Sequence, residues 1–299
     1  MLKYYLAELF EPTLLYSLAL AVLGISAAYH YGHFSATNAI LLIIGSVLAQ
    51  MSVNVISDYF DYTSGLDKEL ARNKSGNLAG GSSLMAEGKI KPLRTLLSGI
   101  VTLALAAIIG LYFLTIQPVL LPIILLAGFS ILLYARVVKR IPYLSEPLCT
   151  INYALIAYGS FIAMAGISAV NYQIAFAFIP AGIMLGGNAL FVNEIPDRKT
   201  DKKYGVKHSA VMLGTSRKIA AYYLLLQTVA YLILMAGLLT GELSILSISA
   251  LAVLPVTPYI FDGIYNAYSK RYPEYLGLHT IASFAFALLL SAAFLIPAL

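Results

Sequence analysis

Every lysine and arginine of this chain lies ahead of its first apolar run or directly after an even-numbered one. Nine runs long enough to cross a bilayer as helices can be read, at 12–28, 39–57, 95–115, 119–133, 147–167, 174–192, 219–239, 243–261 and 278–296. Lys3 precedes the first. A group from Lys68 to Arg94 follows the second, and Arg136, Lys139 and Arg140 follow the fourth. A group from Arg198 to Lys218 follows the sixth, Lys270 and Arg271 follow the eighth, and these account for all 19 basic residues. The loops after runs one, three, five and seven hold none, nor does the C-terminus. A missed or extra run would scramble that alternation, so it supports the count of nine. The positive-inside rule then places the N-terminus and the ends of the even-numbered runs in the cytoplasm, and the C-terminus outside.

Composition agrees. The chain is 60% apolar and 11% charged, against roughly 25% charged in a soluble domain, and its mean hydropathy is +0.83. The expectation is an all-α polytopic membrane bundle of nine transmembrane helices, with residues 1–299 as one domain. The net charge of +5 follows from the sidedness of the loops and does not call for a nucleic-acid partner. One cysteine, Cys149, excludes an intramolecular disulfide, and a buried apolar thiol is its ordinary role. Two acids precede the first apolar run and no small-residue cleavage site stands out, so that run is expected to be retained as a span.

Two acidic stretches break the pattern, each at the end of an apolar run. The second run leads into Asn54-Val-Ile-Ser-Asp58-Tyr-Phe-Asp61-Tyr-Thr-Ser-Gly65-Leu-Asp67. If the helix continues, Asn54, Asp58 and Asp61 share one face. Two acids on one face repel, and the C-terminal end of a helix disfavours negative charge further. A stretch with both penalties is expected to hold a cation. The sixth run leads into Asn193-Glu-Ile-Pro-Asp197-Arg-Lys-Thr-Asp201, with Asn, Asp and Asp at i, i+4 and i+8. Both stretches fall at cytoplasmic ends, of helices 2 and 6, so they could face one pocket.

Carboxylates and amide oxygens at this spacing suit Mg²⁺, which takes one or two carboxylates and completes its shell with substrate phosphate. The same loops carry bases that can neutralise a diphosphate: Lys68, Arg72 and Lys74, then Lys139 and Arg140, then Arg198, Lys199 and Lys202. Acids for metal beside bases for phosphate favour a diphosphate site over a bare ion site. At a membrane face this suggests a prenyl diphosphate, whose tail can lie among the helices. Departure of the metal-bound diphosphate leaves an allylic cation, which aromatic faces stabilise. Tyr59, Phe60, Tyr62, Tyr134, Tyr153 and Tyr158 are candidates to line it, although for any single tyrosine an interfacial anchor or a packing role is the more ordinary reading.

Asn54-x-x-x-Asp58-Tyr-Phe-Asp61-x-x-x-Gly65-x-Asp67 resembles the first aspartate-rich motif of the UbiA superfamily of membrane prenyltransferases. Asn193-x-x-x-Asp197-x-x-x-Asp201-x-x-x-Gly205 resembles the second. The likeness extends over nearly the whole chain, through span count, motif order and sidedness. It implies a nine-helix fold, Mg²⁺ dependence, and transfer of a polyprenyl chain from a prenyl diphosphate to a membrane-associated acceptor. The first motif's form, with Gly80-Gly81, Glu87-Gly88 and the run from Asp201 to Gly214, is most similar to the menaquinone branch, the dihydroxynaphthoate polyprenyltransferases. That implies an aromatic quinone-precursor acceptor, and prenylation coupled to loss of its carboxylate. The resemblance further implies that Asp58, Asp61, Asp197 and Asp201 hold Mg²⁺ and are catalytic. Asn54, Asn193 and Asp67 would assist metal or diphosphate, and Arg72, Lys139 and Arg140 would contact diphosphate. Ser57 stands where the family usually has Asn, Glu11-Pro12 where Arg-Pro is common, His208 where Arg and Ser209 where Thr is usual. These departures bear on the acceptor more than on the chemistry.

The bland alternatives are specific. A polar helix end before a basic loop is ordinary at a cytoplasmic face; two matching clusters at equivalent ends are not. Glu194 reads as a metal ligand or a loop charge. His208 reads as a solvated loop residue, and Asp262 as a solvated helix-end charge or a pocket residue. Other acceptors remain open: a glycerol phosphate lipid, a hydroxybenzoate or a haem-like ring. A cation-coupled transporter is the rival from another class, but transporters bind at the bilayer midplane, and these run interiors carry almost no ionisable groups.

Overall fold

A computed structural model describes residues 2–73, 84–266 and 271–296, and among them are helices and turns but no strands. The chain opens with α1 (Leu2–Leu9) and α2 (Leu14–His30), which meet at a 48° bend. Next come α3 (Ala36–Ser64), the short α4 (Leu66–Asn73), α5 (Pro92–Ile116) and α6 (Leu121–Leu133). Then α7 (Ser145–Ala165) leads to α8 (Ala175–Gly182), which runs through a π turn, Ile183–Asn188, into α9 (Ala189–Glu194). Two short helices, α10 (Arg198–Lys203) and α11 (Ser209–Leu213), precede α12 (Ser216–Leu239). A 3₁₀ segment, Ile245–Val253, feeds α13 (Val256–Tyr265), and α14 (Tyr272–Leu295) closes the bundle.

Each apolar run falls on one helix or on consecutive helical segments, but the count of nine crossings is not reached on length and hydropathy. Among the described residues seven helices are long and apolar enough to cross a membrane, or eight if the bent pair α1–α2 is one span. The run 119–133 falls on the shorter apolar stretch Pro118–Leu133. Its α6 part has 13 residues, about 20 Å at 1.5 Å per residue, against a hydrocarbon core of about 30 Å.

The stretch Ala175–Glu194 is the axis of the bundle. It is 78% buried within the protein, whereas α5 is 17% buried and offers Ile108 and Leu111 to the outside. Lipid solvates such side chains as well as a protein core does, so helix association rests on close packing. Glycine supplies it here. Gly182 and Gly186 face α7 four residues apart, and a Cβ on Gly186 would lie 2.7 Å from the Cys149 carbonyl oxygen. Around this contact Phe161, Phe178, Leu20, Leu23 and Phe286 form the apolar core.

The two acidic stretches are built differently. α3 continues unbroken through Asn54, Asp58 and Asp61, and ends where Gly65 takes a left-handed φ of 88°. Asp67 then lies in the first turn of α4. The second stretch does not keep the i, i+4, i+8 register of one helix. α9 stops at Glu194, a turn follows, and α10 starts at Arg198 with Asp197 at its N-cap. Pro196 accounts for the break: Ile195 keeps helical angles, φ −59° and ψ −45°, but the proline donates no N–H to continue the helical bonds.

Candidate active site

Three loops meet at one end of the bundle: those after α3, α6 and α9. Backbone bonds join the second to the third, with the Lys207 amide donating to the Lys139 carbonyl at 2.7 Å and the Tyr143 amide to the Lys207 carbonyl at 3.3 Å. The Arg140 guanidinium donates to the Tyr204 carbonyl at 3.2 Å. Lys203 pairs with Glu69 at 3.1 Å, tying α10 to α4. Between the loops is a cavity of about 230 Å³, whose lining includes Phe60, Asp61, Arg136, Arg140 and Tyr204.

Lys139 is the residue that brings the two acidic stretches into one site. Its Nζ donates to Oδ2 of Asp61 at 2.5 Å. It also lies within electrostatic reach of Asp201 and Glu194. Burial works against the ammonium charge, but Asp61 outweighs it and Lys139 is held above the ordinary lysine value. Asp58, three residues before Asp61 on α3, is within electrostatic reach of Glu11, Glu8, Asp67 and Asp61. Glu8 and Asp67 are buried. Carboxylates gathered this closely suit a hard divalent ion: the donors are oxygens, and a bound cation relieves their mutual repulsion without protonating them.

The remaining sequence candidates fall in several places. Asn54 is engaged inside the bundle, its Nδ2 donating to Thr13 Oγ1 at 2.7 Å and its Oδ1 accepting from Gln50 Nε2 at 2.9 Å. Tyr153 donates to Gln50 Oε1 at 2.9 Å, which extends a polar chain from Thr13 into the bundle. Asn193 is exposed, and Asp197 is half-buried. The Tyr134 hydroxyl donates to Glu194 Oε1 at 3.2 Å, and burial pushes that hydroxyl's pKa well up, so it stays a donor. Tyr59 packs edge-on against Phe60, and Tyr158 against Phe178 in the core. The Arg72 side chain lies outside the described residues, as do Lys74, Gly80, Gly81 and Lys270.

His208 is not a solvated loop residue. It is 1% exposed, with Nε2 2.9 Å from Asp201 Oδ2 and Nδ1 3.6 Å from Glu194 Oε2. Burial opposes charge on the ring, but Glu194 and the hydrogen bond with Asp201 hold its pKa above the usual imidazole value. Sequence reasoning also passed over Glu8 and Glu146, both buried. Glu146 precedes the apolar run at 147–167 by one residue, and an acid that close to a span was the available signal.

Residues 17–274 match the UbiA prenyltransferase family. No curated protein matches the sequence. Among solved structures, an apo UbiA homologue from Aeropyrum pernix K1 superposes with a TM-score of 0.72 at 18% identity, covering 96% of this chain and 98% of that one. A UbiA homologue from Archaeoglobus fulgidus bound to GPP and Mg²⁺ gives 0.59 at 17% identity, covering 98% and 100%. A digeranylgeranylglyceryl phosphate synthase gives 0.58 at 17% identity, covering 99% and 98%. At these identities the likeness carries the fold.

Proposed function

The chain belongs to the UbiA prenyltransferase family, and from that premise we propose that it is a Mg²⁺-dependent enzyme transferring a polyprenyl group, within the membrane, from a prenyl diphosphate to an aromatic quinone-precursor acceptor. The observation that carries this is Lys139, bonded to Asp61 and facing Asp201 and Glu194. One amine among acids from both stretches makes a single charged pocket, where a diphosphate and its metal can be held together.

In this reading Asp58, Asp61, Asp197 and Asp201 would hold Mg²⁺, with Asp67 supporting Asp58. Bound Mg²⁺ neutralises the diphosphate and makes it a good leaving group. Lys139 and Arg140 bind the diphosphate oxygens and keep them aligned for departure. Tyr134, fixed on Glu194, and Tyr59 present aromatic surface to the allylic carbon as positive charge develops there. The acceptor ring carbon attacks that carbon, its proton or carboxylate leaves, and aromaticity returns. The donor's tail lies among the apolar helices. We place the site in the cytoplasm, with nine crossings and the C-terminus outside, on the sidedness of the basic residues.

The A. fulgidus structure with GPP and Mg²⁺ supports the donor and metal on this fold. The menaquinone-type acceptor rests on motif resemblance. The digeranylgeranylglyceryl phosphate synthase among the fold neighbours keeps a glyceryl-phosphate lipid as the second reading.

The test is turnover of the purified chain in liposomes with Mg²⁺, offering geranylgeranyl and longer prenyl diphosphates with dihydroxynaphthoate, hydroxybenzoate or a glyceryl-phosphate lipid. Chelation of Mg²⁺ should abolish product. Asp61→Ala and Asp197→Ala should each lower kcat/KM by about 100-fold or more. The acceptor consumed names the branch. Full activity in either variant would remove that aspartate from the site.

A further inference from the structure

Beside the proposed transfer site, Glu146 and the unbonded oxygen of Glu194 gather around His208, and no step of the proposed transfer uses that grouping. Glu146 lies in the first turn of α7, Glu194 ends α9, and His208 is the N-cap of α11. One carboxylate oxygen from each glutamate and one ring nitrogen of His208 lie within 4.8 Å of one another.

Each of these side chains is held from behind by one of its polar atoms. The Ser209 amide donates to Glu146 Oε1 at 2.8 Å. The Tyr134 hydroxyl donates to Glu194 Oε1 at 3.2 Å. Asp201 Oδ2 faces His208 Nε2 at 2.9 Å. The other carboxylate oxygens, Oε2 of Glu146 and Oε2 of Glu194, are buried and have no hydrogen-bond partner among the described residues. Glu146 is 0% exposed. Buried carboxylate oxygens without partners are costly and rare. Lys139 reaches Glu194 only through space, since its amine is bonded to Asp61.

The ring of His208 is set for a metal. The Val211 amide points at Nδ1 from 3.3 Å, a long contact, and a backbone N–H can only donate. Nδ1 therefore carries no proton and accepts that bond, Nε2 carries the proton toward Asp201, and a metal would take the Nδ1 lone pair in place of the Val211 amide. A carboxylate behind an imidazole is the usual device for orienting a metal-bound histidine. Glu194 Oε2 lies 3.6 Å from Nδ1, beyond hydrogen-bond distance. Ligand atoms around a tetrahedral ion with bonds of about 2.0–2.1 Å lie about 3.3 Å apart, so this spacing is near what a shared ion would impose.

We infer that Glu146, Glu194 and His208 form a further cation site, taking a borderline divalent ion of the Zn²⁺ or Co²⁺ type beside the Mg²⁺ of prenyl transfer. The imidazole selects against Mg²⁺, which prefers an oxygen shell. The ion ties the start of α7 to the end of α9 and the N-terminus of α11, and through His208 it positions Asp201. The proposal does not rest on the transfer reaction, and its test reads metal rather than turnover.

The full chain, purified in detergent and stripped with chelator, is dialysed against Co²⁺ in excess Mg²⁺. Bound metal is measured by mass spectrometry and visible absorption. One Co²⁺ per chain with a ligand-field band is expected. It should persist in Asp58→Asn/Asp61→Asn and be lost in Glu146→Gln and His208→Asn, with thermal melts showing which variants are folded. A wild type that takes up no Co²⁺ against Mg²⁺ overturns the site. So does binding that survives folded His208→Asn but vanishes in the Asp58/Asp61 variant. X-ray absorption on the wild type needs no variant: an imidazole nitrogen in the shell supports the assignment, and an all-oxygen shell removes it.

Discussion

At the scale of single residues, Lys139 has the most to explain. Its side chain is 16% exposed and that of Asp61 14%, so their bond is shielded from solvent and salt. A lysine facing several acids can serve in two ways. It can neutralise the acids so that the site folds, or it can reserve positive charge for an incoming diphosphate. Lys139→Met separates these. If the amine meets the diphosphate, KM for the prenyl diphosphate should rise by about 10-fold or more, and Lys139→Arg should recover part of it. If the amine only balances Asp61, the variant should lose thermal stability while KM for the donor stays unchanged, and a steady-state titration of the donor at saturating Mg²⁺ distinguishes the two. A second residue-scale prediction concerns Asp67, buried in the first turn of α4 and within electrostatic reach of Asp58. Asp67→Asn keeps the shape and removes one charge. The Mg²⁺ concentration for half-maximal turnover should rise by about 10-fold, as for loss of a supporting group behind a ligand, with little change in KM for the acceptor. A Mg²⁺ titration that superposes on the wild type would remove Asp67 from the metal's surroundings.

At the scale of elements, the axis Ala175–Glu194 sets where the second acidic stretch can sit. Its glycines let α8 and the π turn lie directly on the α7 backbone. A methyl group on Gly186 would meet the Cys149 carbonyl oxygen at 2.7 Å and the Tyr153 Cβ at 2.9 Å, neither of which can move without moving α7. Gly186→Ala should therefore destabilise the bundle by about 1–3 kcal/mol, as overpacking does. Gly128 on α6 is the control, because a Cβ there meets nothing within 4 Å, and helix propensity makes Gly128→Ala neutral or stabilising by about 0.5–1 kcal/mol. Thermal unfolding in detergent checks both, and equal shifts would show that the close contact with α7 is not what holds the axis. The same element shows what the sequence could and could not reveal. The register of Asn54, Asp58 and Asp61 was legible because α3 has no breaker before Gly65. The register of Asn193, Asp197 and Asp201 was not, because Pro196 ends the helix and Asp197 becomes an N-cap. Burial of His208 was not legible either. It follows from α11 folding back over α9 and α7, a contact between parts of the chain far apart in sequence. Glu146 lay one residue outside an apolar run and was passed over for that reason.

At the scale of the whole molecule, the charge pattern and the fold make the same division of the bundle into two ends. One end holds the three clasped loops and their bases. The opposite loops carry a network with no lysine or arginine: Tyr172 and Gln173 each donate to Glu242 at 2.7 Å, and Tyr31 donates to Gln173 at 3.0 Å. Each basic residue near an anionic cytoplasmic leaflet contributes about 1 kcal/mol of attraction, and translocating a loop such as Arg198–Lys218 would oppose all of its charges at once. The expected orientation therefore has the clasped loops inside the cell, and it can be read without any activity. In a Cys149→Ser background, which removes the one native thiol, His33→Cys places a thiol in an exposed loop beyond α2, and Lys199→Cys places one at an exposed position of α10. A membrane-impermeant maleimide applied to intact cells should label the first and leave the second untouched until the membrane is opened. The reverse pattern would invert the molecule and put the proposed diphosphate pocket outside. Labelling of both from one side would mean an even number of crossings between them, contrary to the five that nine spans require, since His33 follows span one and Lys199 follows span six. That arithmetic makes the pair a test of the span count as well as of the orientation: five crossings put the two thiols on opposite faces, whereas four or six, as when the short helix α6 fails to span, put them on the same one.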